Sequence, residues 1–103
     1  MMKMKTLLMI VSVLIHLSGP AHAAGDADAG KAKSALCAAC HGADGTSPMD
    51  IWPNLKGQKY AYLVKQIKAF RDGTRKDPSM QPMVASLSDD DIENLAAYYS
   101  SLK

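Results

Sequence analysis

Cysteine and histidine are scarce in this 103-residue chain. It has two cysteines and three histidines, and both cysteines fall in one pentapeptide, Cys37-Ala38-Ala39-Cys40-His41. Two cysteines this close cannot close a long loop, so the disulfide framework common in small exported domains is excluded. His16 and His22 lie in an N-terminal stretch that reads as a leader, which leaves His41 alone downstream. A zinc site takes about four protein ligands if structural and about three if catalytic. Here it would need a carboxylate as well as the awkward Cys40–His41 adjacency.

An excess of charge of one sign is also missing. The formal net charge is +2, and Lys3 and Lys5 account for all of it. Beyond the leader the chain is formally neutral, so overall charge gives no support to a nucleic-acid partner. Nor is there a long apolar run. The stretch from Thr6 to Leu17 is broken by His16 and stopped by Gly19-Pro20, short of the roughly 20 apolar residues a spanning helix needs. With a basic start and the small-residue site Ala21-His22-Ala23, residues 1–23 are expected to be a cleaved signal peptide. Residues 24–103 then form one domain, of a size at which a hydrophobic core alone is marginal. Something else must supply buried apolar surface.

What is present is helical. No convincing strand, repeat or second domain can be read. An alanine-rich helix is expected from about Asp28 to Ala39, with its acidic start suited to the helix dipole. In a second, Tyr60, Leu63, Val64, Ile67 and Phe70 recur at helical spacing, and Gly73 stands where a C-terminal cap belongs. A third is opened by Ser88 and Asp91 as a capping box and carries the stripe Ile92, Leu95, Ala96, Tyr99 and Leu102. Both stripes read as plain core. Between the helices lie two irregular segments, 42–57 and 74–87. Such long connections in a small domain are disordered or organised around a site, and Ile51, Trp52, Leu55, Met80 and Met83 argue for a site.

A redox-active dithiol also uses C-x-x-C, but its usual setting is a sheet with βαβ units, and this chain reads as helices only. Two unmodified thiols would be unusual in an exported protein. C-x-x-C-H as a covalent haem attachment site remains. On a helical turn Cys37 and Cys40, at i and i+3, share a face. They can form thioethers along one haem edge, and His41 follows directly as an iron ligand. One haem c would also supply the missing centre of the core, with the two long segments wrapped around it. For the sixth ligand the chain beyond residue 23 offers no second histidine, only Met49, Met80 and Met83. Met49 lies eight residues after His41, whereas Met80 and Met83 follow an intervening helix. Simple packing of these methionines against the porphyrin, or an open or lysine-ligated iron, stays possible at this level.

Residues 24–48 (AGDADAGKAKSALCAACHGADGTSP), 52–75 (WPNLKGQKYAYLVKQIKAFRDGTR) and 80–102 (MQPMVASLSDDDIENLAAYYSSL) resemble class I c-type cytochromes, in particular the bacterial cytochrome c-553 and c4-like domains. The resemblance covers nearly all of residues 24–103. It implies an all-α small cytochrome c fold, three main helices with two loops around a covalent haem. It also implies Met80, eight residues before Ser88, as the axial ligand in preference to Met83. By the same resemblance the Pro53 carbonyl accepts a hydrogen bond from His41 Nδ1, and Leu55 packs on the proximal haem face. The c4 group carries two haem domains, whereas one C-x-x-C-H motif stands here.

An iron with both axial positions filled by protein has no substrate site, and the expectation is therefore an electron carrier and not an enzyme. Methionine ligation raises its potential. The expected setting is the periplasm, as a monomer at most peripheral to the membrane. Its redox partners would be a membrane donor complex and a terminal oxidase or reductase. A haem subunit of a larger dehydrogenase or reductase complex is one alternative, and an open-site haem enzyme or gas sensor another. The basic run Lys56, Lys59, Lys65, Lys68, Arg71, Arg75 and Lys76 against Asp89–Asp91 and Glu93 reads either as a solvated face or as a dipole that orients docking.

Overall fold

A computed structural model of the chain describes residues 2–4, 9–13 and 25–103. Within the expected leader, residues 2–4 and 9–13 form no regular structure, and Met2, Met4, Met9, Ile10, Val11 and Val13 are exposed. The remainder of 1–23, including the Ala21-His22-Ala23 cleavage site, lies outside the described residues.

Five helices follow in chain order, with no strand among the described residues: α1 (Ala27–Lys33), α2 (Ala35–His41), α3 (Tyr60–Asp72), α4 (Met80–Val84) and α5 (Asp89–Ser101). The three expected helices are present, with two differences. The first is divided at Ser34. Its hydroxyl bonds to Lys31 O at 2.7 Å, while its N–H reaches Gly30 O and Lys31 O. Such a local side-chain bond competes with the regular helical ladder at this residue. The second difference is α4, inside a segment expected to be irregular. Asp77 Oδ1 accepts the N–H groups of Ser79 and Met80 at 2.8 and 3.1 Å. Pro82 stands in the first turn, where its missing N–H costs no helical hydrogen bond.

The frame is a crossing of α1 and α5. Gly30 is buried there, and a Cβ at this position would collide with the Asn94 carbonyl and crowd Tyr98. The absence of a side chain is therefore what lets the two backbones meet. Asp26 caps α1 through the N–H groups of Asp28 and Ala29, and its own N–H donates to Asn94 Oδ1 at 2.8 Å. The Ser88–Asp91 capping box opens α5 as the sequence leads one to expect. At the end of α3, Gly73 takes φ 82°, the left-handed conformation that stops the helix.

Ile92, Leu95, Ala96, Tyr98 and Tyr99 of α5 form the core with Leu63 of α3, Val84 and Leu87. On α3 only Leu63 of the expected stripe is buried. Tyr60, Val64, Ile67 and Phe70 are half-buried and pack at the edge of this cluster. A stripe left half-exposed in so small a domain marks an unfilled centre.

Candidate functional site

That centre is a cavity of ≈ 880 Å³, within the range of ligand and cofactor pockets. It draws on every part of the fold except α1. Leu36, Cys37, Cys40 and His41 come from α2, and Leu63, Gln66, Ile67 and Phe70 from α3. The first irregular segment contributes Ile51, Trp52, Pro53 and Leu55, α4 contributes Met80, Met83 and Val84, and α5 contributes Leu95 and Tyr99. Leu63, Ile67 and Phe70 of the α3 stripe and Leu95 and Tyr99 of the α5 stripe are therefore cavity wall, and the expectation that both stripes are plain core is corrected for these residues. The i, i+3, i+4 spacing of Leu63, Gln66, Ile67 and Phe70 gives one helix face; it cannot tell whether protein or a prosthetic group covers that face.

The last turn of α2 brings Cys37, Cys40 and His41 to this cavity. The buried imidazole of His41 lies with Nδ1 2.8 Å from Pro53 O. A carbonyl can only accept, so Nδ1 carries the proton. In the neutral ring this leaves the Nε2 lone pair for a metal. Leu55 N and Lys56 N both donate to Gly45 O, which holds the Trp52–Leu55 segment against the turn after α2. Pro53 and Leu55 thus stand in the cavity lining beside His41.

Both cysteines are free thiols. Burial pushes the Cys37 thiol above its ordinary value; the nearby Tyr99 hydroxyl opposes the rise and Cys40 adds to it. A thiol held in its protonated form is poorly suited to disulfide exchange, which needs thiolate. Among the described residues no three His, Cys, Asp or Glu side chains gather into a metal-binding group. Neither zinc nor dithiol chemistry finds support.

Of the three methionines, Met80 and Met83 line the cavity and Met49 does not. Met80 is half-buried and packs on the core, while Met83 is 44% exposed and Met49 51% exposed. Two cavity residues were not singled out in the sequence for the site: Tyr99, read there as core, and Gln66. Tyr99 is 1% exposed, lines the cavity beside Cys37 and Ser34, and its hydroxyl makes no hydrogen bond. Burial drives its phenol far above the ordinary value. Gln66 appears in sequence as one more polar position on α3, with no signal to single it out.

The donor set fits a covalently held haem. Two thiols at helical i, i+3 spacing, an imidazole with Nδ1 already engaged and a half-buried thioether all meet a large, mainly apolar cavity. The basic run does not stand clear of the acidic one. Arg71 Nη1 lies 2.7 Å from Asp89 Oδ1 and bonds to Leu87 O, and Lys56 pairs with Asp44.

Comparison with known proteins agrees. The cytochrome c family model matches residues 27–103. Cytochrome c4 of Pseudomonas aeruginosa is 48% identical over 100 residues, covering 97% of this chain and 50% of that protein. Cytochrome c-554(548) of Halomonas halodenitrificans is 54% identical over 81 residues, covering 76% of this chain and 98% of that protein. The crystal structure of reduced recombinant cytochrome c4 from Pseudomonas stutzeri superposes with a TM-score of 0.74 at 46% identity, over 78% of this chain and 47% of that one. The chain spans about half the length of the cytochrome c4 relatives it matches.

Proposed function

The chain belongs to the cytochrome c family, and on that premise we propose that it carries one haem c and transfers single electrons between redox proteins in the periplasm. The observation behind this reading is the convergence of Cys37, Cys40, His41 and Met80 on one cavity. When bound, the haem supplies a one-electron iron couple. Cys37 and Cys40 would tether it by thioethers, and His41 Nε2 would ligate its iron while Pro53 O holds the imidazole ring. Met80 would be the second protein ligand of the iron, which would favour the reduced state and leave no position for substrate. Met83 packs nearby. The hydrocarbon side chains of Leu55, Leu63, Ile67, Phe70 and Leu95 exclude water, so little solvent has to reorganise as charge changes.

Export by a leader cleaved after Ala23 belongs to the same proposal, because covalent haem attachment takes place outside the cytoplasm. No described helix is long and apolar enough to cross a membrane. The partners are a membrane donor complex and a terminal oxidase or reductase. Exposed Leu36, Ile51 and Tyr62 rim the cavity and offer a small apolar contact patch suited to brief encounters. The half-length match to cytochrome c4 favours one second reading, an electron-transfer domain acting inside a larger assembly. Purification as a free monomer would count against it.

The test is the intact mass of protein made in a host that matures c-type cytochromes. Residues 24–103 plus one haem, retained through acid–acetone extraction, is the expected result. An unmodified mass would refute the proposal.

A further inference from the structure

We propose that the Tyr99 hydroxyl is a cofactor-binding group, donating a hydrogen bond to the Cys37 sulfur once that sulfur is a haem thioether. This rests on the haem reading above. Tyr99 is the largest fully buried side chain of the core. Its hydroxyl is also the one buried side-chain nitrogen or oxygen among the described residues that has no hydrogen-bond partner. A donor taken out of water and left unpaired destabilises the fold, so a partner is called for. Burial drives the phenol far above its ordinary value, and the hydroxyl therefore keeps its proton and stays a donor.

The ring has little freedom to seek a partner elsewhere. The Tyr99 carbonyl accepts from Gly57 N at 2.9 Å and from Leu102 N at 3.3 Å, which fixes the end of α5. The ring packs against that of Tyr98, with centroids 5.0 Å apart. Gly45 closes another side, where even an added Cβ would come within 3.1 Å of Tyr99 Cδ1.

Two side chains stand near the hydroxyl, Cys37 and Ser34. Ser34 donates its own hydrogen to Lys31 O at 2.7 Å and is not part of the cavity lining. Cys37 and Tyr99 both line the cavity, and Cys37 packs on the core cluster that contains Tyr99. A free thiol carries a hydrogen and can turn about its Cα–Cβ bond. Attachment adds that S–H across a haem vinyl group, with sulfur bonded to the carbon next to the ring and hydrogen to the terminal carbon. The sulfur is then anchored at both ends, has no hydrogen and can only accept. The porphyrin edge at this point is hydrocarbon, so the sulfur is the acceptor that attachment places before Tyr99.

The experiment is resonance Raman spectroscopy of the reduced holoprotein, fully exchanged in H2O and in D2O, read at the thioether carbon–sulfur stretch. The proteins are wild type, Tyr99→Phe, Tyr98→Phe, Ser34→Ala and Cys37→Ala. A hydroxyl bonded to sulfur makes that stretch sensitive to deuterium. Wild type should show a shift in D2O that Tyr99→Phe lacks. Tyr98→Phe, which removes a hydroxyl bonded to Ala43 O, should keep it, and so should Ser34→Ala. Cys37→Ala, attached through Cys40 alone, should lose it, which keeps the test readable if Tyr99→Phe does not fold. Thermal unfolding gives a second reading. Removal of a bonded hydroxyl lowers the melting temperature, whereas removal of an orphan leaves it unchanged or raises it, so Tyr99→Phe should melt below wild type. Identical wild-type spectra in H2O and D2O, a shift kept in Tyr99→Phe or Cys37→Ala, its loss in Ser34→Ala, or a Tyr99→Phe protein as stable as wild type would overturn the proposal. A wild-type chain with no haem absorbance would instead overturn the haem reading on which it rests.

Discussion

His41 Nδ1 lies 2.8 Å from the carbonyl oxygen of Pro53, twelve residues on in the chain. This one bond fixes the tautomer and leaves the Nε2 lone pair free for a metal. Because the acceptor is a main-chain carbonyl, it survives substitution of the side chain. Pro53→Ala should therefore keep the bond and lose only the ring's stiffening of the loop, about 0.4–1 kcal/mol. Thermal unfolding of the holoprotein checks this. A loss well beyond that range would mean that the pyrrolidine ring itself shapes the His41 side of the cavity.

The α1–α5 crossing makes a sharper demand. A methyl group at Gly30 meets the Asn94 carbonyl, and a backbone cannot give way as a flexible side chain can. Gly30→Ala should destabilise by at least the 1–3 kcal/mol typical of overpacking, measured by urea unfolding. Gly73→Ala offers a contrast. An added Cβ there meets open space, and the cost is that of a left-handed backbone alone, about 1 kcal/mol.

Acid should weaken the fold. Hydrogen bonds hold two carboxyls of α5 below their ordinary value, from Arg71 at Asp89 and from the Ser88 backbone N–H at Asp91. The unfolded chain binds these protons more readily, so stability is full above the ordinary carboxyl range near about 3.9. It is lost as pH falls through the lower folded values. Melting temperature between about pH 2 and about pH 6 should decline toward the acid end. In Asp89→Asn and Asp91→Asn that decline should be shallower. An unchanged profile in both variants would show that these bonds do not contribute.

Much of this arrangement is legible in the residues. Ser88, Asp91 and Gly73 mark helix ends by local chemistry that a sequence displays directly, and Cys37, Cys40 and His41 announce their site by spacing. Three things are not legible. Ser34 divides the first helix through a hydroxyl bond to Lys31 O that competes with a good alanine-rich pattern. The short helix at Met80 is hidden because Pro78 and Pro82 read as breakers, while Asp77 supplies the cap that makes it possible. The half-buried face of α3 has the same periodicity as a core face, and only the three-dimensional arrangement shows that it borders a cavity. Met80 was separable from Met83 by family resemblance alone; in the fold it is also the more buried of the two.

The central claim is that both axial positions are closed by this chain, His41 on one side and Met80 on the other. The most direct measurement is the absorption spectrum of the reduced holoprotein before and after carbon monoxide at neutral pH, for wild type, Met80→Ala and Met83→Leu. Wild type and Met83→Leu should not respond, and Met83→Leu, a nearly volume-conserving change, should cost less than about 1.5 kcal/mol. Met80→Ala should bind carbon monoxide and lose the sulfur-to-iron charge-transfer band in its oxidised form. Ready binding by the wild-type protein would contradict the closed site and the electron-carrier reading together.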